Sequence, residues 1–407
     1  MRLETNRWVG VLSAALVVAG CSFDPAGLGE PAIDGFVDAD PDGGAFDSMP
    51  DTGWVDGGMS DGVADGDTPI CEEGELSCEP DVTALVCEGG QWRELGECFL
   101  GCDEQEGVCR VPSNVNVESL PLDATPVEQV DFPEGATVIV DSDDGSIWNE
   151  SEQSEIRPPV VGAVDSGIGF FRQSQPGQAP TLGIFVFGRV FVPATTVIRV
   201  VGNAAFVLLS TGDVLVEGVI DGGANGAQSG PGGYDGGPVG LPGEGMCPGQ
   251  PGQSVLTCPK GCASGAGGGG LGGSGGVGGE VGCTISGVAV SLAGGLGGGP
   301  CATAELTPLV GGSGGGGGTP LQNVSSSSPG LGGGGGGAIQ ISSRGLIRIG
   351  AQGGILVPGG GGGQTTSGGG TGGGAGGAIL LECDHLVVYT ESFLAANGGG
   401  GGGGDCT

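Results

Sequence analysis

The sequence predicts a mainly β protein. An acidic linker leads to a small disulfide-rich module, and then to a right-handed parallel β-solenoid-like region carrying glycine-rich, polyglycine-II-like insertions. Three observations predict this: an aliphatic motif that recurs in the C-terminal half, 99 glycines in 407 residues, and fourteen cysteines in a strongly acidic chain. Glycine at that density, beside only 4% aromatic residues, means that backbone contacts rather than side-chain packing order much of the protein. The net charge of -36, from 47 acids against 11 bases, opposes attraction to nucleic acid or anionic lipid. His385 is the single histidine, which excludes any mechanism or metal site that needs two. The cysteine count suits an oxidising, extracytoplasmic compartment.

The chain begins with an address. Arg2 and Arg7 precede an apolar run from Val9 to Ala19, of signal-peptide length and too short to span a bilayer. The run closes on Val18-Ala19-Gly20-Cys21, which resembles the lipobox of bacterial lipoproteins. That resemblance implies a signal peptide over 1–20, removed before Cys21, and lipidation of Cys21 with palmitate-type acyl chains. Two or three such chains anchor stably where one does not. Ser22 rather than Asp follows the cysteine, and by the sorting habit of that family this implies the outer membrane or cell surface.

A linker comes next, over 21–70. Ser22 to Ile70 holds twelve acids and no lysine or arginine, so it cannot bury enough apolar surface to offset its ordering entropy. Read as a disordered tether, these 49 residues span roughly 35–42 Å. Asp38, Asp40, Asp42 and Gly43 match the opening of a calcium loop. Met49 stands where that loop needs a bidentate Glu, so no metal site is assigned.

Residues 71–110 form a six-cysteine module: Cys71, Cys78, Cys87, Cys98, Cys102 and Cys109. Too few large apolar residues are present for unaided folding, so disulfides supply the stability, in any of fifteen pairings. Zinc is disfavoured, because none of the six lies in a Cys-x-x-Cys pair and the module has no histidine. The run from Cys87 through Trp92 to Cys109 resembles cysteine-rich modules of secreted bacterial proteins and, loosely, chitin-binding knots. Trp92 is therefore the candidate ligand contact, as a sugar-stacking platform; the plainer reading makes it the cap of a tiny core.

A β-rich lead-in over 115–200 follows. Candidate strands are Ala136–Val140, Ile184–Phe187, Val190–Val192, Thr196–Val201, Phe206–Leu209 and Val214–Val216, and no segment after the signal peptide has a helical apolar period. The repeat occupies 201–407. One copy reads Ala205–Leu209, Val214–Val216, Gly218–Ile220; the next reads Ala338–Ile341, Leu346–Ile349, Ile355–Val357; the last reads Ala378–Leu381, His385–Tyr389, Phe393–Ala395. A single copy cannot bury its apolar face, whereas stacked copies can, which is how solenoid rungs look in sequence. The pattern is similar to glycine-rich β-helical proteins of bacterial surfaces.

Between the copies run glycine tracts, the longest insertion being 221–337; 70 of the 99 glycines follow residue 220. Leu271, Ser274, Val277 and Glu280 recur every third residue among glycines, the period of the left-handed extended helix. The tracts resemble the polyglycine-II bundles of a glycine-rich insect antifreeze protein and of some phage tail adhesins. Cys247, Cys258, Cys262, Cys283, Cys301 and Cys406 are the further disulfide candidates, and three bridges among them pin the insertion. Cys383 shares parity with the inward Ile379 and Leu381 and is expected as a free buried thiol.

Catalytic chemistry is thin. His385 sits beside Asp384 at a strand turn with no nucleophile motif in the chain. Of the basic residues that a β-helix polysaccharide lyase would cluster on one face, only Lys260, Arg344 and Arg348 follow Arg199. Arg344 and Arg348 align with Asp384 and Val388 of the last copy, so no basic row is expected. The sequence therefore points to a non-catalytic cell-surface lipoprotein of structural, adhesive or cell-envelope role, with no cofactor. Its partners are the membrane, through the lipid anchor, and an extracellular glycan or another surface protein, but not nucleic acid. The alternative is a carbohydrate-binding protein or a β-helix polysaccharide lyase.

Overall fold

The computed structural model describes residues 15–18, 22–23 and 71–406, except 80–82, 104–105, 122–127, 256–260, 286 and 322–328. Among these the regular secondary structure is almost entirely strand, with one 3-10 turn at Val117–Ser119. The expectation of a mainly β, disulfide-containing protein holds.

The cysteine module is a three-stranded antiparallel sheet of Leu76–Glu79, Thr83–Glu88 and Gln91–Glu97. Gly89 and Gly90 turn the second strand into the third with φ of +63° and +77°, the left-handed pair that a two-residue hairpin requires. Bridges Cys71–Cys87, Cys78–Cys102 and Cys98–Cys109 staple it, and Ala84, Cys98 and Cys102 form its small core.

Beyond the module, the chain makes repeated three-strand passes. One pass is Leu182–Phe187, Arg189–Val192 and Val197–Val201; the next is Ala205–Ser210, Val214–Val216 and Val219–Asp221. The later two are Ala338–Ser343, Leu346–Ile349, Gly354–Leu356 and Ala378–Glu382, His385–Val388, Phe393–Ala395. Each pass gives one strand to each of three sheets, and every strand pairs in parallel with its counterpart in the next pass. The parallel ladders thus reach back into the 115–200 lead-in, where Thr137–Asp141 also pairs in parallel with Val197–Val201.

Like residues stack because the register holds them. Phe206, Ile339 and Ile379 form one inward row, Val190, Val214, Ile347 and Leu386 a second, and Ile198, Ile220, Ile355 and Leu394 a third. All three rows belong to one core shared by the three sheets. The first sheet is buried on its other face as well. There Leu182, Val207, Leu209 and Leu380 pack against Val115, Leu120, Leu306 and Leu309.

One alignment needs correction. The offset between the last two passes is 40 at Ala338↔Ala378 but 39 at Leu346↔His385, because the earlier pass spends one more residue at the corner. Arg348 therefore lies beside Val387, not Val388, and its neighbour on the other side is Leu215.

Four antiparallel strands absent from the sequence reading extend two of the sheets: Ile147–Asn149, Ser154–Arg157, Ala163–Asp165 and Ile168–Gln173. Arg157 ties the two hairpins together. Fully buried, it donates to the carbonyls of Gly145, Pro158, Val160, Ala163 and Ile168 at 2.7–3.2 Å, and its guanidinium lies 5.6 Å from the Phe170 ring centroid. At the opposite edge the backbone of Ala15–Val18 pairs in parallel with Ala378–Leu381, and that of Ser22–Phe23 with His385–Leu386.

The glycine tracts leave the passes after their third strands and return before the first strand of the next, so they gather at one corner. Their hydrogen bonds repeat every third residue. Gly312, Gly315 and Gly318 donate to Gly336, Gly333 and Gly330; Ser313 and Gly316 donate to Gly270 and Gly267; Gly314 and Gly317 donate to Glu244 and Leu241. One tract thus bonds to three different neighbours in rotation, as an extended threefold helix does. A Cβ at Gly317 or Gly335 would lie 1.8 Å from a neighbouring carbonyl oxygen, so glycine is required for this spacing. Bridges Cys247–Cys301 and Cys262–Cys406 cross the tracts, and Cys283 is also disulfide-bonded.

Candidate functional site

Polar side chains converge where the cysteine module docks on the first sheet. On that sheet, alternation puts Ile339, Ile341, Ile379 and Leu381 inward and turns Gln340, Ser342 and Glu382 towards the docking side. Glu382 is buried yet saturated with donors. Its Oε2 accepts from Gln340 Nε2 at 2.8 Å and Ser342 Oγ at 2.7 Å; its Oε1 accepts from the Ser113 amide at 3.0 Å and Ser113 Oγ at 2.5 Å. Asn114 Nδ2 donates to Gln340 Oε1 and to the Leu306 carbonyl, both at 3.1 Å. Residues 113–114 are thereby clamped to the sheet just downstream of the last module cysteine.

Two arginines complete this junction. Arg110 pairs with Asp384 at 2.7 Å. Arg344 donates through Nε to the Phe99 carbonyl at 3.0 Å and through a terminal nitrogen to the Cys98 carbonyl at 3.3 Å. Burial lowers the Arg344 pKa, with Glu97 acting in the opposite sense. Between module and sheets lies a cleft of about 950 Å3, whose lining includes Leu95, Phe99, Val111, Leu120, Arg110 and Arg344. Its lining mixes apolar side chains with the charges of Glu97, Arg110, Glu118 and Arg344.

The Glu382 carboxylate is fully engaged. Every hydroxyl and amide around Glu382 is already spent on internal bonds, so the carboxylate has no open position from which to take a substrate proton. His385 is 66% exposed and its Nε2 lies 3.1 Å from Asp384 Oδ2, whose carboxylate also holds Arg110. Among the described residues, no group of three or more His, Cys, Asp or Glu is arranged to hold a metal ion.

The residues singled out in the sequence fall elsewhere. Trp92 lies opposite Cys87 on the module's third strand, half-buried, and does not line the cleft. Cys383, expected as a free thiol, is disulfide-bonded; it does sit on the inward face, in the common core. Parity placed the side chain correctly, but the pairing of a cysteine depends on what reaches it across the fold. Cys21, Cys258, Lys260 and the aspartates of the tether lie outside the described residues. Sequence reasoning overlooked Ser113, Asn114, Gln340, Ser342 and Glu382. The available signal was the polar phase of two otherwise aliphatic strands.

The outer face of the third sheet carries a second group. Register lines up Trp148, Ile139, Arg199, Asp221, Leu356 and Ala395, with Phe393 nearby; Trp148 and Phe393 are each 38% exposed. No helix among the described residues is long and apolar enough to cross a membrane. No protein-family model matches the chain, and no curated protein or solved structure matches it either.

Proposed function

We propose that the chain is a non-catalytic, exported surface protein, held to the outer membrane by lipid on Cys21, with a structural or adhesive role. In this reading the parallel ladders are the faces of a right-handed β-solenoid, and the glycine tracts form a polyglycine-II-like bundle beside it. One observation carries the proposal: the three-residue hydrogen-bond period of the tracts, which turns backbone alone into an ordered, chemically inert surface. The occupied acceptors of Glu382 and the ion-paired Arg110 and Asp384 support a binding rather than a catalytic role.

The exposed Trp148 and Phe393 on one sheet face favour a second reading, carbohydrate binding, since aromatic faces stack on sugar rings. A glycan-array screen of the purified protein separates the two. The structural reading expects no specific retention. Retention abolished by Trp148→Ala or Trp92→Ala would replace it with the carbohydrate reading.

A further inference from the structure

The outer face of the third sheet is complementary to itself. Register places one residue from each of six successive strands in a single row: Trp148, Ile139, Arg199, Asp221, Leu356 and Ala395. Glu155, on the seventh strand, stands beyond the Trp148 end. From the two ends towards the middle, the row sets a large side chain against a small one, an aliphatic against an aliphatic, and a base against an acid. The row two residues back along the strands is also symmetric at its centre, where Val197 lies beside Val219. Alternation sends the intervening Val138, Ile198, Ile220 and Ile355 into the common core, so both rows point away from it. Trp148 and Arg199 are exposed, and the other four members of the first row are half-buried. Arg199 makes no ion pair among the described residues, although Asp221 is its cross-strand neighbour. The Asp221 carboxylate accepts the Gly223 amide at 2.9 Å. A base and an acid, not paired with each other, thus stand at the centre of a largely aliphatic face.

We infer that this face packs on the same face of a second copy, about a two-fold axis parallel to the strands that passes between those of Arg199 and Asp221. Such an axis reverses the order of the strands and keeps their direction. Arg199 then faces the partner's Asp221, and the contact occurs twice. Ile139 faces the partner's Leu356, and Trp148 comes over the partner's Ala395. A two-fold contact requires this kind of self-complementarity. An axis along the row would instead set Arg199 against the partner's Arg199 and Asp221 against the partner's Asp221, so charge selects the first arrangement. Packed sheets cross at about 30°, which shifts the ends of the row but leaves the residues beside the axis aligned. Five interstrand steps make the row about 24 Å long, a small contact beside a standard interface, so the dimer is weak and concentration-dependent. The net charge of -36 also opposes association. The pairing does not depend on the proposed lipid anchor, and a sugar stacked on Trp148 would compete for the same surface.

The two central charges provide the test. Sedimentation velocity of the purified protein over a concentration series should show a monomer–dimer equilibrium. Arg199→Glu sets a carboxylate against the partner's Asp221, and Asp221→Lys sets an ammonium against the partner's Arg199. Each variant alone should dimerise about tenfold more weakly or not at all. Mixed in equal amounts, the two variants should associate with each other, because opposite charges then meet at both central positions. Arg199 is exposed, so Arg199→Glu should keep the circular dichroism and Tm of the parent, and it decides the question alone if Asp221→Lys does not fold. Hydroxyl-radical labelling of Trp148 and Phe393 should fall as the parent is concentrated. A parent that stays monomeric throughout, a dimer that survives Arg199→Glu, two folded variants that do not associate when mixed, or protection mapping to another surface would overturn the inference. A glycan held through Trp148 by a monomeric parent would assign the face to carbohydrate instead.

Discussion

Asp141 illustrates how a single side chain carries a cost of the fold. It begins the tight turn into Ser146 and accepts the Asp143 amide at 2.8 Å. Burial raises its pKa above the ordinary 3.8, with repulsion from Asp144 and Asp143 adding to the effect and backbone hydrogen bonds opposing it. A carboxyl whose folded-state pKa is raised binds its proton more tightly in the native state. Its contribution to stability is therefore full below the unfolded value and is lost as pH rises through the folded value. Asp141→Asn keeps the acceptor for Asp143 and removes the charge. The expected result is a higher Tm than the parent at pH 7 and no difference at pH 3, measured by calorimetry. Arg157 shows the opposite solution: burial lowers its pKa, with Asp165 and Asp144 opposing, and five carbonyls replace water around the guanidinium.

At the scale of an element, each glycine tract behaves according to which of its faces is occupied. A Cβ at Gly317 would sit 1.8 Å from the Pro238 carbonyl oxygen, whereas one at Gly276 meets nothing within 4 Å. Gly317→Ala must push two tracts apart, a loss of about 1–3 kcal/mol if it behaves as overpacking does elsewhere. Gly276→Ala only narrows the unfolded ensemble, a gain of about 0.4–1 kcal/mol. Thermal unfolding should therefore order the proteins as Gly276→Ala, parent, Gly317→Ala from highest to lowest Tm. Equal loss in both variants would mean that the tracts are not closely packed. The period-three spacing of Leu271, Ser274, Val277 and Glu280 was legible in the sequence; the last three are exposed, whereas Leu271 is buried. Which neighbour each tract would bond was not legible, because glycine offers no side chain to distinguish one partner from another.

Across the whole molecule, the cysteine module and the sheets are joined by one buried carboxylate and two arginines. The Arg110–Asp384 pair is about one-third exposed on each side, and pairs of that kind contribute little. Glu382 is buried and accepts four hydrogen bonds, so Glu382→Gln sets an amide NH2 against groups that donate, at about 1–3 kcal/mol. Limited proteolysis across 110–114 should accelerate markedly in Glu382→Gln and barely in Arg110→Ala, with far-ultraviolet circular dichroism of the sheets unchanged in both. If Arg110→Ala proves the more sensitive, the exposed ion pair rather than the carboxylate holds the module.

Local chemistry in the sequence was enough to determine the mainly β character, the recurrence of three short strands, the inward phase of residues such as Ile339 and Ile379, and the existence of a disulfide-stapled module. Each follows from a side-chain period or a residue count, which a neighbour distant in sequence does not alter. Tertiary structure alone decided the bridges Cys71–Cys87, Cys78–Cys102 and Cys98–Cys109, the bonded state of Cys383, the change of offset from 40 to 39 at one corner, and the burial of Glu382 beneath Ser113. Those depend on which distant segments meet. Sulfur, carboxylate and glycine backbone are indifferent to partner identity until packing brings one within reach.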